Sequence, residues 1–164
     1  PGHGGADAHG DDAPARTPDL ASMEESDLVP FKAMIASMGD RSLLMTGHLD
    51  VPGLTDGGEP FSLNPEAMTY LRDTIGYDGV TVTDELAEMG AITERGISVP
   101  DAVEAALVAG NDLALYFGDV TQMNEVLDHL EGAVGAGRLS EAQVNTSVAR
   151  IVALKAADAC PAPG

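Results

Sequence analysis

Strand-like and helix-like segments alternate along this chain, and that alternation constrains its fold more than any other feature. Residues 42–47 (Ser-Leu-Leu-Met-Thr-Gly), 79–83 (Gly-Val-Thr-Val-Thr) and 112–117 (Asp-Leu-Ala-Leu-Tyr-Phe) are short apolar or β-branched runs flanked by Gly, Asn or Asp, the pattern of buried strands. Residues 27–38 carry Leu28, Phe31, Ile35 and Met38 at helical spacing, and Gly39 is a stop signal. A second helix is predicted to about Ile75, capped by Ser62 or Asn64 with Pro65 in its first turn. A short helix at 86–93, one from Pro100 to Ala109, and two more at about 121–134 and 140–157 complete the order α–β–α–β–α–β–α–α. Residues 10–19 and 48–60 read as loops. The fold class expected is therefore α/β, with parallel strands joined by right-handed helical crossovers. A closed eight-unit barrel takes about 250 residues. Three strands cannot close one, and such a sheet keeps two open edges.

Composition narrows the function. The chain has 27 acidic and 8 basic residues, a net charge of −19, and its only lysines are Lys32 and Lys155. Such a surface cannot neutralise a row of phosphates, so nucleic acid is not an expected partner. The acids are scattered, as on a solvated folded surface. A high-salt habitat and a generally acidic proteome explain them equally well. No run of about 18 apolar residues is present, so no membrane span is expected. Aromatics make up 4% of the chain and Trp is absent, leaving Ala, Val, Leu and Met to fill the interior. The single Cys160 lies in the tail 158–164, which is expected to be disordered, and cannot form an internal disulfide. A free thiol and pairing outside this segment both stay open.

Two stretches carry chemistry. Residues 1–9 form a Gly-rich loop in which Asp7 and His9 stand two apart. A carboxylate beside an imidazole fixes its tautomer and supports proton transfer near neutral pH. The strand at 79–83 runs into Asp84, which alternation puts on one face with Val80 and Val82. A carboxylate at the C-terminal end of a parallel strand is placed as a nucleophile; the other reading of Asp84 is an N-cap for residues 86–93. Glu85 has the opposite parity and supports the site or faces solvent. His48 follows a strand end, either shaping a substrate site or serving as a hydrogen-bonded structural residue. His3 arranges the Gly-rich loop. His3, His9, His48 and Asp7 are a conceivable metal set, but no helical H-x3-H and no Cys partner accompanies them, so no metal is expected. Gly132, Gly135 and Gly137 lie near a helix end and do not follow a strand, so no dinucleotide cofactor is expected either. His129, with Leu127 and Leu130 on a helix face, reads as surface or core.

The succession P-G-H-G, D-x-H, P-F-K, M-x-G-H and G-V-x-V-T-D-E-L resembles the catalytic barrel of glycoside hydrolase family 3, in its bacterial β-N-acetylglucosaminidase branch. The resemblance runs from Pro1 to about Ala157. It implies the C-terminal half of a (β/α)8 TIM-type barrel, with the three strands as its sixth to eighth, and incomplete alone. It implies Asp84 as nucleophile, His9 as acid/base, Asp7 as the residue orienting His9, and substrate contacts at His48, His3 and Met89. Ala8 stands where the family usually has Ser, and the K-H-F that precedes P-G-H-G in the family is absent. The implied reaction is retaining hydrolysis of terminal β-linked N-acetylglucosamine from glycans or cell-wall fragments, without a cofactor. Phosphorolysis, or a half-barrel without activity of its own, are the alternatives. The implied partners are a carbohydrate substrate and the N-terminal half of the barrel, in the same polypeptide or a second chain. The implied setting is a bacterium, secreted or in the cell envelope, with the cytoplasm as the alternative.

Overall fold

A computed structural model describes residues 2–157; Pro1, Cys160 and the tail reading lie outside them. In chain order the elements are β1 (Ala15–Arg16), α1 (Leu20–Glu25), α2 (Val29–Met38), β2 (Leu43–Thr46), β3 (Leu49–Asp50), α3 (Pro65–Thr69), β4 (Val80–Glu85), α4 (Gly90–Thr93), α5 (Val99–Ala109), β5 (Leu113–Leu115), α6 (Val120–Gly135) and α7 (Glu141–Ala157). Short polar caps start several helices. Asp19 accepts from the Ser22 amide, Asn64 from Ala67, Ser98 from Asp101 and Asp119 from Gln122. At the other end of α5, Gly110 adopts φ 120°, a left-handed turn that a Cβ would strain.

The α/β architecture expected from the alternation is present. Strands β2, β4 and β5 form one parallel sheet in the order β2–β4–β5, with Leu43 opposite Val80 and Val82 opposite Leu113. Among the described residues this sheet does not close. The structure adds what periodicity missed. β1 lies in residues read as loop and α1 in residues given no element, and β1 pairs in parallel with β3 through two residues on each side. Such short pieces carry no repeating pattern. The helix expected to reach Ile75 changes at Tyr70 from α to a π-turn, and the one expected at 86–93 contracts to α4.

The strand at 42–47 was expected to be buried, and only one of its faces is. Leu44 and Thr46 are buried, while Leu43 is 49% and Met45 46% exposed. Register places Leu43 and Met45 on the same face as Val82 and Asp84. Helices cover the opposite face, which carries Thr81, Thr83 and Glu85, all buried. Aliphatic residues fill most of the core as composition requires. One cluster gathers Met23, Leu49, Phe61, Met68, Leu71 and Tyr77; a second gathers Leu63, Leu86, Ile92, Val103, Ala106 and Val126.

The strand N-termini are locked by ion pairs. The fully buried Asp112 carboxylate accepts from Arg72 at 2.9 Å, from Arg150 at 3.2 Å and from the Thr81 amide at 2.9 Å. Arg72 also donates to the carbonyls of Tyr77 and Gly79. A buried charge paired and hydrogen-bonded this fully ties the starts of β4 and β5 together. The opposite, C-terminal ends of the strands are left to carry Asp84 and its surroundings.

Candidate active site

Asp84 sits at the end of β4, half-buried, with its Oδ1 accepting from the Glu85 amide at 2.9 Å. It lines a cleft of about 580 Å³. Gly2, His3 and Gly47 line it too, and the rest of the wall is largely apolar, with Phe31, Leu43 and Met45 among its residues. The helix-cap reading of Asp84 is not what forms. The amides that follow the strand are taken by Glu85: its Oε1 accepts from Ala87 at 2.8 Å and its Oε2 from Glu88 at 2.6 Å.

Glu85 does more than finish the strand. Its Oε1 also accepts from the Phe117 amide at 2.8 Å, joining the end of β4 to the loop after β5. Only 6% of Glu85 is exposed. Of the two readings of this residue, support or solvent, the buried staple is the observed one. The signal was in the parity of the strand, which turns Glu85 inward when Asp84 faces out.

His48 was expected to touch substrate or to be structural, and the structure buries it. It is 1% exposed, with Nε2 2.7 Å from the Glu85 carbonyl and Nδ1 2.6 Å from Ser62 Oγ. A carbonyl only accepts, so Nε2 carries the hydrogen and Nδ1 accepts from the Ser62 hydroxyl. Burial lowers the imidazole pKa from 6.5, against a hydrogen bond to Glu85 and the charges of Asp84 and Glu85 that raise it. Both ring nitrogens are spent on the protein, so His48 props the strand end from behind instead of facing a ligand.

The Gly-rich loop is built differently. His3 opens a single 3-10 turn to Gly5, is exposed, and lines the cleft beside Asp84. Its ring centroid is 5.9 Å from that of His9. Gly2 has φ 90°, and a Cβ there would meet the Met23 methyl at 2.6 Å; the chain enters the loop only because no side chain is present.

The expected pairing of Asp7 with His9 is not formed. Asp7 Oδ1 accepts from the Arg16 amide at 2.9 Å, and the Asp7 amide donates to the Arg16 carbonyl at 2.9 Å. These bonds fasten the loop to β1. The carboxylate beside His9 belongs to Asp11, whose Oδ2 is 3.3 Å from His9 Nδ1. Asp11 stands as far after His9 as Asp7 stands before it, and in this arrangement it is the nearer carboxylate. Met89, expected at the substrate, is 7% exposed and packs beneath Gly10. It fills the interior because the loop folds over it. His129 bridges helices at the surface, with Nε2 2.6 Å from Glu104 Oε2 and 3.6 Å from Asp101.

A carboxylate at a parallel strand's C-terminal end thus lines one cleft with the histidine-bearing loop. Residues 1–154 fit the model of the glycosyl hydrolase family 3 N terminal domain. The chain belongs to that family. It is 39% identical over 171 residues to beta-hexosaminidase LpqI of Mycobacterium tuberculosis, an alignment covering 100% of this chain and 41% of that protein. The solved structure of M. tuberculosis LpqI superposes with a TM-score of 0.87 at 37% identity, covering 100% of this chain and 47% of that one. A family 3 beta-N-acetylglucosaminidase from Paenibacillus gives a TM-score of 0.84 at 34% identity, over 97% of this chain and 30% of that one. The named relatives are bacterial. The chain thus spans about two fifths of the length of the curated relative it matches. No described helix is long and apolar enough to cross a membrane.

Proposed function

We propose that this chain carries the nucleophile and acid/base of a retaining glycoside hydrolase acting on terminal β-linked N-acetylglucosamine, on glycans or cell-wall fragments. The observation that carries the reading is Asp84: a strand-end carboxylate relieved of capping by Glu85 and opening on a cleft beside the histidine loop. The relatives named beta-hexosaminidase and beta-N-acetylglucosaminidase supply the substrate class. A secreted or envelope location fits a cell-wall substrate.

In the first step an Asp84 oxygen attacks the anomeric carbon. The bond to the leaving-group oxygen breaks as that oxygen takes a proton from the His9 imidazolium. The sugar is left as an ester of Asp84. In the second step neutral His9 takes a proton from water, the water oxygen attacks the same carbon, and the Asp84 carboxylate is released. Two inversions give net retention. Asp7 is the orienting carboxylate by family resemblance, while Asp11 occupies that place in this arrangement; substrate binding is the event that would exchange them.

The catalytic cleft needs more than these residues. Leu43, Met45 and Leu115 on the sheet, and Phe117 and Val120 beyond it, are exposed. Further β/α units covering this apolar face would complete a barrel, exclude water and close the sugar site. Turnover of a chromogenic aryl β-N-acetylglucosaminide by the complete barrel tests the reading. Asp84→Asn is expected to lower turnover by at least about a thousandfold with the fold retained, since an amide cannot form the ester. A 2-fluoro sugar should label Asp84. Labelling at Glu85, or full activity in Asp84→Asn, defeats the assignment.

A further inference from the structure

The loop that carries His9 is held by the segment that follows Asp84, and the two meet without room for a side chain. The Gly90 amide donates to the Asp11 carbonyl at 2.9 Å, and the Ala91 amide to the Gly10 carbonyl at 3.1 Å. On the loop side, the His9 carbonyl accepts from the amides of Asp12 at 3.1 Å and Ala13 at 3.3 Å, which closes residues 9–13 into a tight turn. A Cβ on Gly90 would sit 2.5 Å from the Asp12 carbonyl oxygen and 2.9 Å from the Ala13 nitrogen. These are backbone atoms, so nothing flexible can give way. A Cβ on Gly10 would meet side chains instead, the Met89 methyl at 3.0 Å and the His3 ring at 3.7 Å. The docking segment is itself anchored: Glu85 clasps the amides of Ala87, Glu88 and Phe117, and the Leu86 amide donates to the Leu115 carbonyl at 3.0 Å.

We infer that Gly90 is a positioning residue: its missing side chain and its amide set where the His9 loop sits relative to Asp84. One stretch of chain, residues 84–91, then carries the nucleophile at one end and seats the proton carrier's loop at the other. The inference rests on the assignment of His9 as acid/base. It explains why the loop, exposed and held by few side chains, has a defined place at all. Backbone contacts of this kind transmit an error of about an ångström directly to the group they place.

The test compares phenyl and 2,4-dinitrophenyl β-N-acetylglucosaminides on the complete barrel. A poor leaving group needs the proton as the bond breaks, and an activated one does not. Gly90→Ala is expected to lower kcat/KM for the phenyl substrate about tenfold or more and for the dinitrophenyl substrate less than about threefold. Gly10→Ala should show the same bias with a smaller loss. Equal losses on both substrates, or none, overturn the inference. His9→Ala in the same assay separates the two levels. If His9→Ala is biased and Gly90→Ala is not, the docking role alone fails; if His9→Ala is unbiased, the acid/base assignment fails and takes the docking role with it. Amide exchange in the unmodified protein gives a second reading that needs no variant. The Gly90 and Ala91 amides should exchange slowly, and exchange at the rate of an unstructured peptide overturns the docking.

Discussion

The end of β4 and the loop before β1 each carry one half of the proposed chemistry, and they are built in opposite ways. Around Asp84 the protein spends buried side chains: Glu85 on three amides, His48 on the Glu85 carbonyl, and Ser62 on His48. Around His9 it spends backbone. The ring is exposed, its carboxylate neighbour Asp11 is exposed, and the loop is held through the main chain of residues 7, 10 and 11. A nucleophile must meet one carbon at one angle, so rigidity serves it. A proton carrier must serve a leaving group and then a water, and an exposed ring on a loop seated by its backbone can turn between them.

The largest expected effect is a crossed result from two substitutions. Glu85→Ala strips the acceptor from three partly exposed amides, and a hydrogen bond to a carboxylate is worth roughly 1.5–3 kcal/mol. Loss of about 3 kcal/mol or more is expected, read as a lower midpoint in urea unfolding of the complete barrel. His9→Ala should move that midpoint by less than about 0.5 kcal/mol, as for other exposed positions, while lowering turnover of poor leaving groups about a hundredfold. Equal stability losses would erase the contrast between the two regions.

A smaller effect decides which carboxylate serves His9. Here Asp7 Oδ1 accepts from the Arg16 amide of β1, while the Asp11 carboxylate lies 3.3 Å from His9 Nδ1, which accepts from the Asp11 amide at 3.4 Å. If the loop works as it stands, Asp11→Asn should cost about tenfold on poor leaving groups and Asp7→Asn should act mainly through loop order, equally on all substrates. If substrate rearranges the loop, the biased loss moves to Asp7→Asn. The leaving-group series for both variants, run beside His9→Ala, reads out which arrangement is the working one.

The same contrast explains what could be read before the structure. The parallel strands were legible because β-branched runs such as Val80-Thr81-Val82-Thr83 carry a period of two and are fenced by Gly and Asp. Asp84 was legible because a strand end and a parity fix its direction. The loop was not. Asp7-x-His9 and His9-x-Asp11 are equivalent as spacings, and the choice between them depends on the Arg16 amide, far off in sequence and set by tertiary packing. His48 was half legible: its place after β2 was right, but Ser62 is what turned it inward, and no local pattern links the two. Met89 is buried for the same kind of reason, since the loop folds over it.

The smallest effect concerns His48, and it reports on the rigid region alone. Burial holds its imidazole pKa below 6.5 in the folded state, so the folded protein binds this proton less readily than the unfolded chain. The sign follows from linkage: the contribution to stability is fully present above about pH 6.5 and is lost as pH falls through the folded pKa. For a single proton the slope cannot exceed about 1.4 kcal/mol per pH unit. His48→Gln keeps an amide N–H able to donate toward the Glu85 carbonyl and removes the titration. Wild type minus variant should therefore be level from pH 8 to about 6.5 and shrink below it, measured as the difference in urea midpoints. A flat difference for His48→Gln down to pH 5 would mean the protonated ring is accommodated, with Ser62 turning its oxygen to accept from Nδ1, and the wall behind Asp84 would then be softer than its hydrogen bonds suggest.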